Sequence, residues 1–218
     1  MSIISPGMSA KVFLMENSDQ LPERLANRLD RHELTIFLFH GVIRKPTIGV
    51  RNYTGKHMRA DLFANCMSML ATSGYALSMA QVLSHCREDV PFPPKSFAIT
   101  FDDGFENNLS VAAPILADFN LPATLYLTTR FVEENGASWI DRIERAVEEA
   151  PNQNLEVEWS PDSFPLHDTQ SRIRFLQAVR VYVKHEEQCN ADVFADQLCS
   201  MLGAETSPAS EEPIDLKM

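Results

Sequence analysis

Three short runs of apolar, β-prone residues constrain the fold of this chain more than any other feature. They are Leu34–Phe39, Phe97–Phe101 and Ala123–Thr128. Each is apolar almost throughout, which predicts a strand buried on both faces rather than on one. The segments between them have helical spacing, and consecutive buried strands joined by helices pair in parallel through right-handed crossovers. The sequence therefore predicts an α/β sheet or barrel.

The helical patterns divide the chain into a core and additions to it. Ser18 or Asp19 can cap an amphipathic helix that reaches about Leu29. After the third apolar run, amphipathic helices are predicted to pack through apolar positions of one helical face, namely Ile143, Val147, Ile173, Leu176, Val179 and Leu198. The predicted divisions are an N-terminal helical extension (1–33), an α/β core (34–137), a helical insertion or cap (138–203) and a mobile tail (204–218).

Composition excludes several classes of function. The chain has 218 residues and a formal net charge of −11, so non-specific binding to nucleic acid or to an anionic membrane is not expected. No apolar run approaches the roughly 20 residues of a transmembrane helix. The N-terminus lacks the apolar region of a signal peptide, and the four cysteines are scattered. A cytoplasmic protein with reduced thiols is the expectation.

Polar residues follow each of the three apolar runs directly. Asp102, Asp103 and Gly104 end the second run, and His40 ends the first. Thr128 and Arg130 stand at the end of the third. Asp-Asp-Gly also suits an ordinary turn, but parallel sheets bind ligands at the carboxyl ends of their strands, where these polar groups are expected to meet. The pattern favours a functional pocket lined by His40, Asp102, Asp103 and Thr128.

The same residues resemble a known family. Thr100-Phe-Asp-Asp-Gly104, Ala113-Pro-Ile-Leu116 and Leu121-Pro-Ala-Thr-Leu-Tyr-Leu127 are similar to the first block of polysaccharide deacetylases, the NodB-homology family (carbohydrate esterase family four). His40-Gly-Val42 and Gly74-Tyr-Ala-Leu-Ser78 resemble its upstream part, and Ser138-Trp-Ile-Asp-Arg-Ile-Glu144 resembles a subgroup with a helical insertion. The resemblance implies an incomplete or distorted (β/α) barrel that removes N- or O-acetyl groups from sugars or polysaccharide precursors.

The resemblance also implies roles for individual residues. Asp102 corresponds to the general base and Asp103 to a metal-ligating aspartate, with His40 as a further candidate ligand and Thr128 and Arg130 as candidate substrate-binding residues. The implied cofactor is a divalent metal, zinc by preference, with cobalt, manganese or nickel as alternatives. Such a metal would lower the pKa of a bound water and polarise the acetyl carbonyl. An acetylated sugar or glycan precursor is the implied substrate.

One part of the family pattern is absent. The family completes its metal site with two histidines four residues apart, and none of the six histidines here have that spacing. A catalytic zinc takes three protein ligands. We expect a C-terminally truncated enzyme, with a diverged site that uses His40 or His57 as the alternative. A non-catalytic NodB-like relic or carbohydrate-binding module is the alternative function.

Overall fold

The sheet and its flanking helices come from the first two thirds of the chain. The structure is a computed structural model that describes residues 10–14, 20–47, 49–134, 137–187 and 189–204. The described residues form two compact units, one made of those up to 46 and from 55 to 134, the other of those from 47 to 54 and from 137 to 204. Within the described ranges, no helix is both long and apolar enough to span a bilayer.

The first unit alternates strands and helices in chain order. Its elements are β1 (Ala10–Leu14), α1 (Leu21–Ala26), β2 (Leu34–Phe39), β3 (Gly41–Ile43), β4 (His57–Arg59), α2 (Ala60–Ser73), β5 (Tyr75–Ala76), α3 (Met79–Glu88), β6 (Ser96–Phe101), a π-helical turn (Asn108–Ala112), α4 (Ala113–Asp118), β7 (Thr124–Leu125) and α5 (Thr129–Glu134). The larger sheet has the order β1-β2-β6-β5, and β7 also pairs with β6. All its pairs are parallel, which confirms the predicted α/β class.

The two strands at the centre of the sheet lie where they were predicted, although Ile36 and Leu38 of β2 are only half-buried. β2 pairs with β6 over its length, with Phe39 opposite Phe101. Every residue of β6 is buried, as its unbroken apolar run predicted. The rings of Phe39 and Phe101 stack at 5.5 Å, and Phe63 of α2 meets Phe39 edge-on at 5.2 Å. This aromatic contact fixes α2 against the carboxyl half of the sheet.

The third predicted buried strand differs from the structure. β7 has only two residues, and Leu125, Tyr126 and Leu127 are 43–52% exposed. Among the described strands β7 pairs with β6 alone, so it lies at an edge of the sheet. The prediction of burial on both faces was wrong here because an apolar run indicates burial only where another layer covers it.

The N-terminal region contains a strand that the sequence analysis did not predict. β1 pairs in parallel with β2, from Ala10 opposite Leu34 to Leu14 opposite Leu38. The region 1–33 is therefore not only a helical extension. The predicted helix is present as the shorter α1, with Pro22 in its first turn. The proposed caps Ser18 and Asp19 lie outside the described residues.

The second unit is helical. It contains α6 (Trp139–Glu149), the antiparallel pair β8 (Asn154–Leu155) and β9 (Phe164–Pro165), α7 (Thr169–His185) and α8 (Ala191–Met201). The predicted apolar positions pack together, since Ile143, Val147, Leu176, Val179 and Leu198 are buried and Ile173 packs against them. Residues 205–218, most of the predicted tail, lie outside the described residues.

A segment distant in sequence completes this helical unit. Residues 47–54 were predicted as part of the α/β core, but they cluster with the second unit instead. The backbone N–H of Val50 donates to Glu148 Oε2 at 2.5 Å, and that of Asn52 donates to Glu144 Oε2 at 3.4 Å. Gly49 has φ +80°, and a Cβ there would lie 2.0 Å from Glu148 Oε1. Two carboxylates of α6 therefore hold this segment, and a glycine makes room for one of them.

An arginine closes the carboxyl end of α6. The guanidinium of Arg172, on α7, donates to the carbonyl oxygens of Glu148 at 3.0 Å and Ala150 at 2.7 Å. It also donates to the carbonyl oxygen of Val147 and, at 3.3 Å, to Asn152 Oδ1. The last carbonyls of a helix have no partner within the helix, and a cation is favourable beside them. Arg172 thus joins α7 to α6 through polar contacts beside the apolar core.

Candidate active site

The carboxyl ends of β2 and β6 lie side by side. The backbone N–H of Asp102 donates to the carbonyl oxygen of Phe39 at 3.0 Å, one residue beyond the end of β6. His40 follows Phe39 directly, so His40 and the Asp102–Asp103 pair begin at the same edge of the sheet. Both carboxylate residues and His40 are partly exposed. The parallel register places these three predicted residues together, while their roles stay predictions.

The Asp-Asp-Gly turn has an uncommon backbone. Asp103 has φ +72° and Gly104 has φ +91°, so two successive residues are left-handed. The N–H of Gly104 donates to the carbonyl oxygen of Asp102 at 2.9 Å. The positive φ favours glycine at residue 104, where a Cβ would also lie 2.7 Å from Cδ2 of the exposed Leu127 side chain. Four other described residues besides the glycines share this backbone conformation, so it does not by itself assign a role to Asp103.

Thr128 is joined to this turn, whereas Arg130 lies further along. The N–H of Thr128 donates to the carbonyl oxygen of Asp103 at 3.3 Å, so the segment after β7 is held against the aspartate turn. Arg130 is exposed in the first turn of α5, with its guanidinium 5.8 Å from the centre of the Phe131 ring. The structure thus brings Thr128 to the site through its backbone. Arg130 stays a predicted substrate-binding residue.

A buried polar group beneath the turn was missed by sequence reasoning. Asn107 is fully buried, four residues after Asp103. Its Oδ1 accepts a hydrogen bond from the N–H of Val42 at 3.2 Å, and its Nδ2 lies 3.2 Å from His57 Nδ1. His57 is 2% exposed and meets the ring of Phe105 edge-on, with 4.5 Å between ring centres. The closely spaced Gly-Phe-Glu-Asn sequence after the carboxylates is the pattern that could have drawn attention to Asn107.

The metal site implied by the resemblance can be tested against the side chains present. Among the residues that the structure describes, no group of three or more His, Cys, Asp or Glu could hold a metal ion. A catalytic zinc takes three protein ligands and keeps one open position. The described residues therefore do not by themselves fit a zinc site. Ligand roles for Asp103 and His40 remain predictions.

A comparison with known families matches the segment that contains this turn. Residues 89–159 match the sequence model of the family described as polysaccharide deacetylase. The matched segment contains Asp102, Asp103, Thr128 and Arg130, and it begins after His40 and His57. A search of curated proteins finds no significant match.

Two solved structures are similar over part of the chain. One is a de-N-acetylase from Aggregatibacter actinomycetemcomitans, 20% identical with a TM-score of 0.36, and the alignment covers 66% of this chain and 50% of that chain. The other is the BpsB deacetylase domain from Bordetella bronchiseptica, 22% identical with a TM-score of 0.29 and the same coverage. These TM-scores are too low to establish a shared fold. The chain spans about half the length of each of these proteins.

Proposed function

We infer that this protein is a carbohydrate deacetylase. The inference rests on the match of residues 89–159 to the polysaccharide deacetylase family, which confirms the resemblance found in the sequence. The reaction is hydrolysis of an N- or O-acetyl group on a sugar or polysaccharide precursor. The observation that carries the proposal is that the matched segment contains the Asp102–Asp103 turn at the carboxyl end of a buried parallel strand.

Asp102 is the proposed general base. The backbone N–H of Asp102 donates a hydrogen bond to the carbonyl oxygen of Phe39, and this bond holds the backbone in place. The residue is partly exposed. A carboxylate in this position can take a proton from a water molecule as the water oxygen attacks the acetyl carbonyl carbon. The C–N or C–O bond then breaks, acetate is released, and the departing nitrogen or oxygen takes up a proton. A proton donor for that last step is not assigned among the described residues.

The other candidate residues have binding roles in this proposal. Asp103 is the proposed ligand of a divalent metal, with His40 as a second candidate, and zinc is preferred over cobalt, manganese and nickel. No catalytic step is assigned to a metal, because the described residues lack a group of three ligands. Thr128 and Arg130 are proposed to contact the acetylated sugar. The cytoplasmic location is also part of the proposal, and it is supported by four cysteines without disulfides.

A non-catalytic carbohydrate-binding module is the second candidate function. It is favoured by one observation, that the described residues offer no cluster of three metal ligands. Such a module would keep the sheet and the polar groups at its carboxyl edge, and it would bind an acetylated sugar without releasing acetate.

An acetate-release assay with matched variants tests the proposal. N-acetylated and O-acetylated sugar oligomers are incubated with the 218-residue chain. A parallel incubation uses the product of the full coding sequence, including any residues encoded after residue 218. Asp102→Asn should lower acetate release by about 10²–10⁴-fold. Asp118→Asn, which removes an exposed carboxylate on α4, is the control and should have no effect. Binding of the oligomers without acetate release by any of these proteins would favour the second candidate.

A further inference from the structure

We propose that His57 is a positioning residue of the candidate site. It acts as a neutral imidazole whose Nδ1 accepts a hydrogen bond from Asn107, and this bond holds the turn that carries His40. The proposal deepens the deacetylase function and rests on it only for the activity measurement described below.

The orientation of the Asn107 amide follows from its two partners. The backbone N–H of Val42 can only donate, so the atom that faces it at 3.2 Å must be the amide oxygen. The amide NH₂ therefore faces His57 Nδ1, also at 3.2 Å. An imidazole nitrogen that accepts a hydrogen bond carries no proton, so the remaining ring proton lies on Nε2. One backbone N–H thus determines the tautomer of a histidine in another strand.

The packing around this pair requires a glycine. Gly41 lies opposite His57 in the pairing of β3 with β4. A Cβ at Gly41 would lie 2.1 Å from His57 Nδ1 and 2.7 Å from Asn107 Oδ1. Any side chain at this position would displace the atoms that form the hydrogen bonds. Gly41 is therefore needed because it leaves space for the hydrogen-bonded pair of His57 and Asn107.

The amide of Asn107 connects the segments that carry the candidate catalytic residues. Val42 follows His40 by two residues, and Asn107 follows Asp103 by four. The ring of Phe105, between Asp103 and Asn107, contacts His57. Removing the acceptor on His57 takes this hydrogen bond from the buried NH₂ of Asn107, and the loss of a hydrogen-bond partner by a buried amide favours a shift of its side chain. A shift of Asn107 moves both segments, and a displacement of about 1 Å at a site can cost about 10²-fold in rate.

This geometry also argues against His57 as a substitute metal ligand. Its Nδ1 is occupied by Asn107, and the side chain is 2% exposed. The Nδ1 lone pair of His57 is therefore not available to a metal ion while this hydrogen bond is made.

The first experiment does not depend on activity. Heteronuclear NMR of the 218-residue chain with labelled imidazole nitrogens, at neutral pH, should show His57 with a proton on Nε2 and none on Nδ1. Amide exchange of Val42 should be slow in the wild type and at least tenfold faster in Asn107→Leu. A proton on Nδ1 of His57 would overturn the proposal, whatever reaction the protein catalyses.

The second experiment compares two replacements of His57. In His57→Asn an oxygen takes the place of Nδ1, two bonds from Cβ, whereas His57→Leu offers no acceptor. With an active protein, His57→Leu should lower kcat by roughly 10–100-fold with little change in KM, and His57→Asn should recover most of that loss. His85→Leu on α3 is the control and should leave kcat unchanged.

The outcomes separate the proposals. Equal losses in His57→Asn and His57→Leu, with Val42 protected from exchange in both, would show that His57 acts directly in the chemistry and would overturn the positioning role. Unchanged kcat and unchanged exchange in His57→Leu would overturn it as well. Absence of acetate release from every protein would count against the deacetylase function alone, since the tautomer and the exchange of Val42 would still decide the role of His57.

Discussion

The N–H of Asp102 donates a hydrogen bond of 3.0 Å to the carbonyl oxygen of Phe39. This bond extends the pairing of β2 with β6 by one residue beyond Phe101. The candidate base is therefore held by the sheet itself and not by a free loop. Sites supported by regular elements hold their geometry more closely than sites supported by loops.

Two replacements of Asp103 should differ in stability although both lose activity. Because Asp103 is left-handed at φ +72°, Asp103→Gly relieves backbone strain, whereas Asp103→Ala keeps it. We expect Asp103→Gly to be more stable than Asp103→Ala by about 1–2 kcal/mol in urea unfolding, while both lose acetate release. Asp102 is not among the described residues with positive φ, so at that position the alanine variant should be the more stable one. The same order at both positions would contradict the backbone assignment.

Replacing Arg172 should destabilise the helical unit. Lysine keeps the charge but cannot donate to several carbonyl oxygens in one plane, so the last carbonyls of α6 lose partners. We expect Arg172→Lys to lower the free energy of unfolding by about 1–3 kcal/mol. Both tryptophans, Trp139 and Trp159, lie in this unit, so their fluorescence follows its unfolding.

Arg174→Lys is the matched control for this measurement. Arg174 is exposed two residues further along α7, and its replacement should change stability by less than about 0.5 kcal/mol. If both lysine variants unfold at the wild-type urea concentration, the contacts of Arg172 do not support the helix end.

Much of the fold follows from patterns that are local in sequence. The buried runs at Leu34–Phe39 and Phe97–Phe101 and the helical spacing of Ile143, Val147 and Leu198 indicated the central strands and the core of the second unit. In these segments the environment of the side chains in the fold agrees with the one that the local sequence pattern indicates. The edge position of β7 depends on which elements lie beside the strand. The apolar sequence of the strand alone does not indicate those neighbours.

The features that the sequence did not predict depend on contacts between residues that are distant in the chain. Val42 and Asn107 are 65 residues apart, and His57 and Asn107 are 50 apart. A lone histidine and a lone asparagine have no periodicity, so sequence alone does not reveal that they meet. For the same reason the carboxylate of Glu148 could not be assigned to a segment that precedes it by 98 residues. In the site, the aspartate turn was predictable from its own residues, but its buried support was not.

The cysteines should differ in reactivity. Burial raises the pKa of Cys66 to about 12 and also raises the pKa of Cys199. Cys86 and Cys189 are partly exposed. Iodoacetamide at pH 8 should therefore modify Cys86 and Cys189 in the native protein, and Cys66 and Cys199 only after denaturant is added, as read by peptide mass spectrometry. Early modification of Cys66 would show that α2 opens readily.

The raised pKa of Cys66 also predicts a loss of stability at high pH. The thiol of the unfolded chain ionises near pH 9.0, whereas the folded thiol keeps its proton up to about pH 12. The stabilisation linked to Cys66 is thus complete below pH 9 and is lost as the pH rises through this interval. Cys66→Ala should reduce this pH dependence in urea unfolding, and Cys86→Ala should leave it unchanged.

Metal binding by the 218-residue chain should be weak. Asp103 belongs to no cluster of three ligands within the described residues, and one carboxylate leaves most coordination positions to water. We expect micromolar zinc or cobalt to leave Tm unchanged, and EDTA to have no effect on it. A rise in Tm with zinc that disappears in Asp103→Ala but not in Asp118→Ala would contradict this expectation and reveal a ligand set that includes Asp103.

The binding of residues 47–54 to α6 has a consequence for synthesis of the chain. Val50 leaves the ribosome 98 residues before Glu148, which holds its backbone N–H. At about 5–20 residues per second, this interval lasts roughly 5–20 s. During that time the strands that flank the segment can pair, but the segment itself has not met its carboxylates. The helical unit therefore joins residues from early and late in synthesis, and the 47–54 segment gains its two carboxylate partners only after α6 has been made.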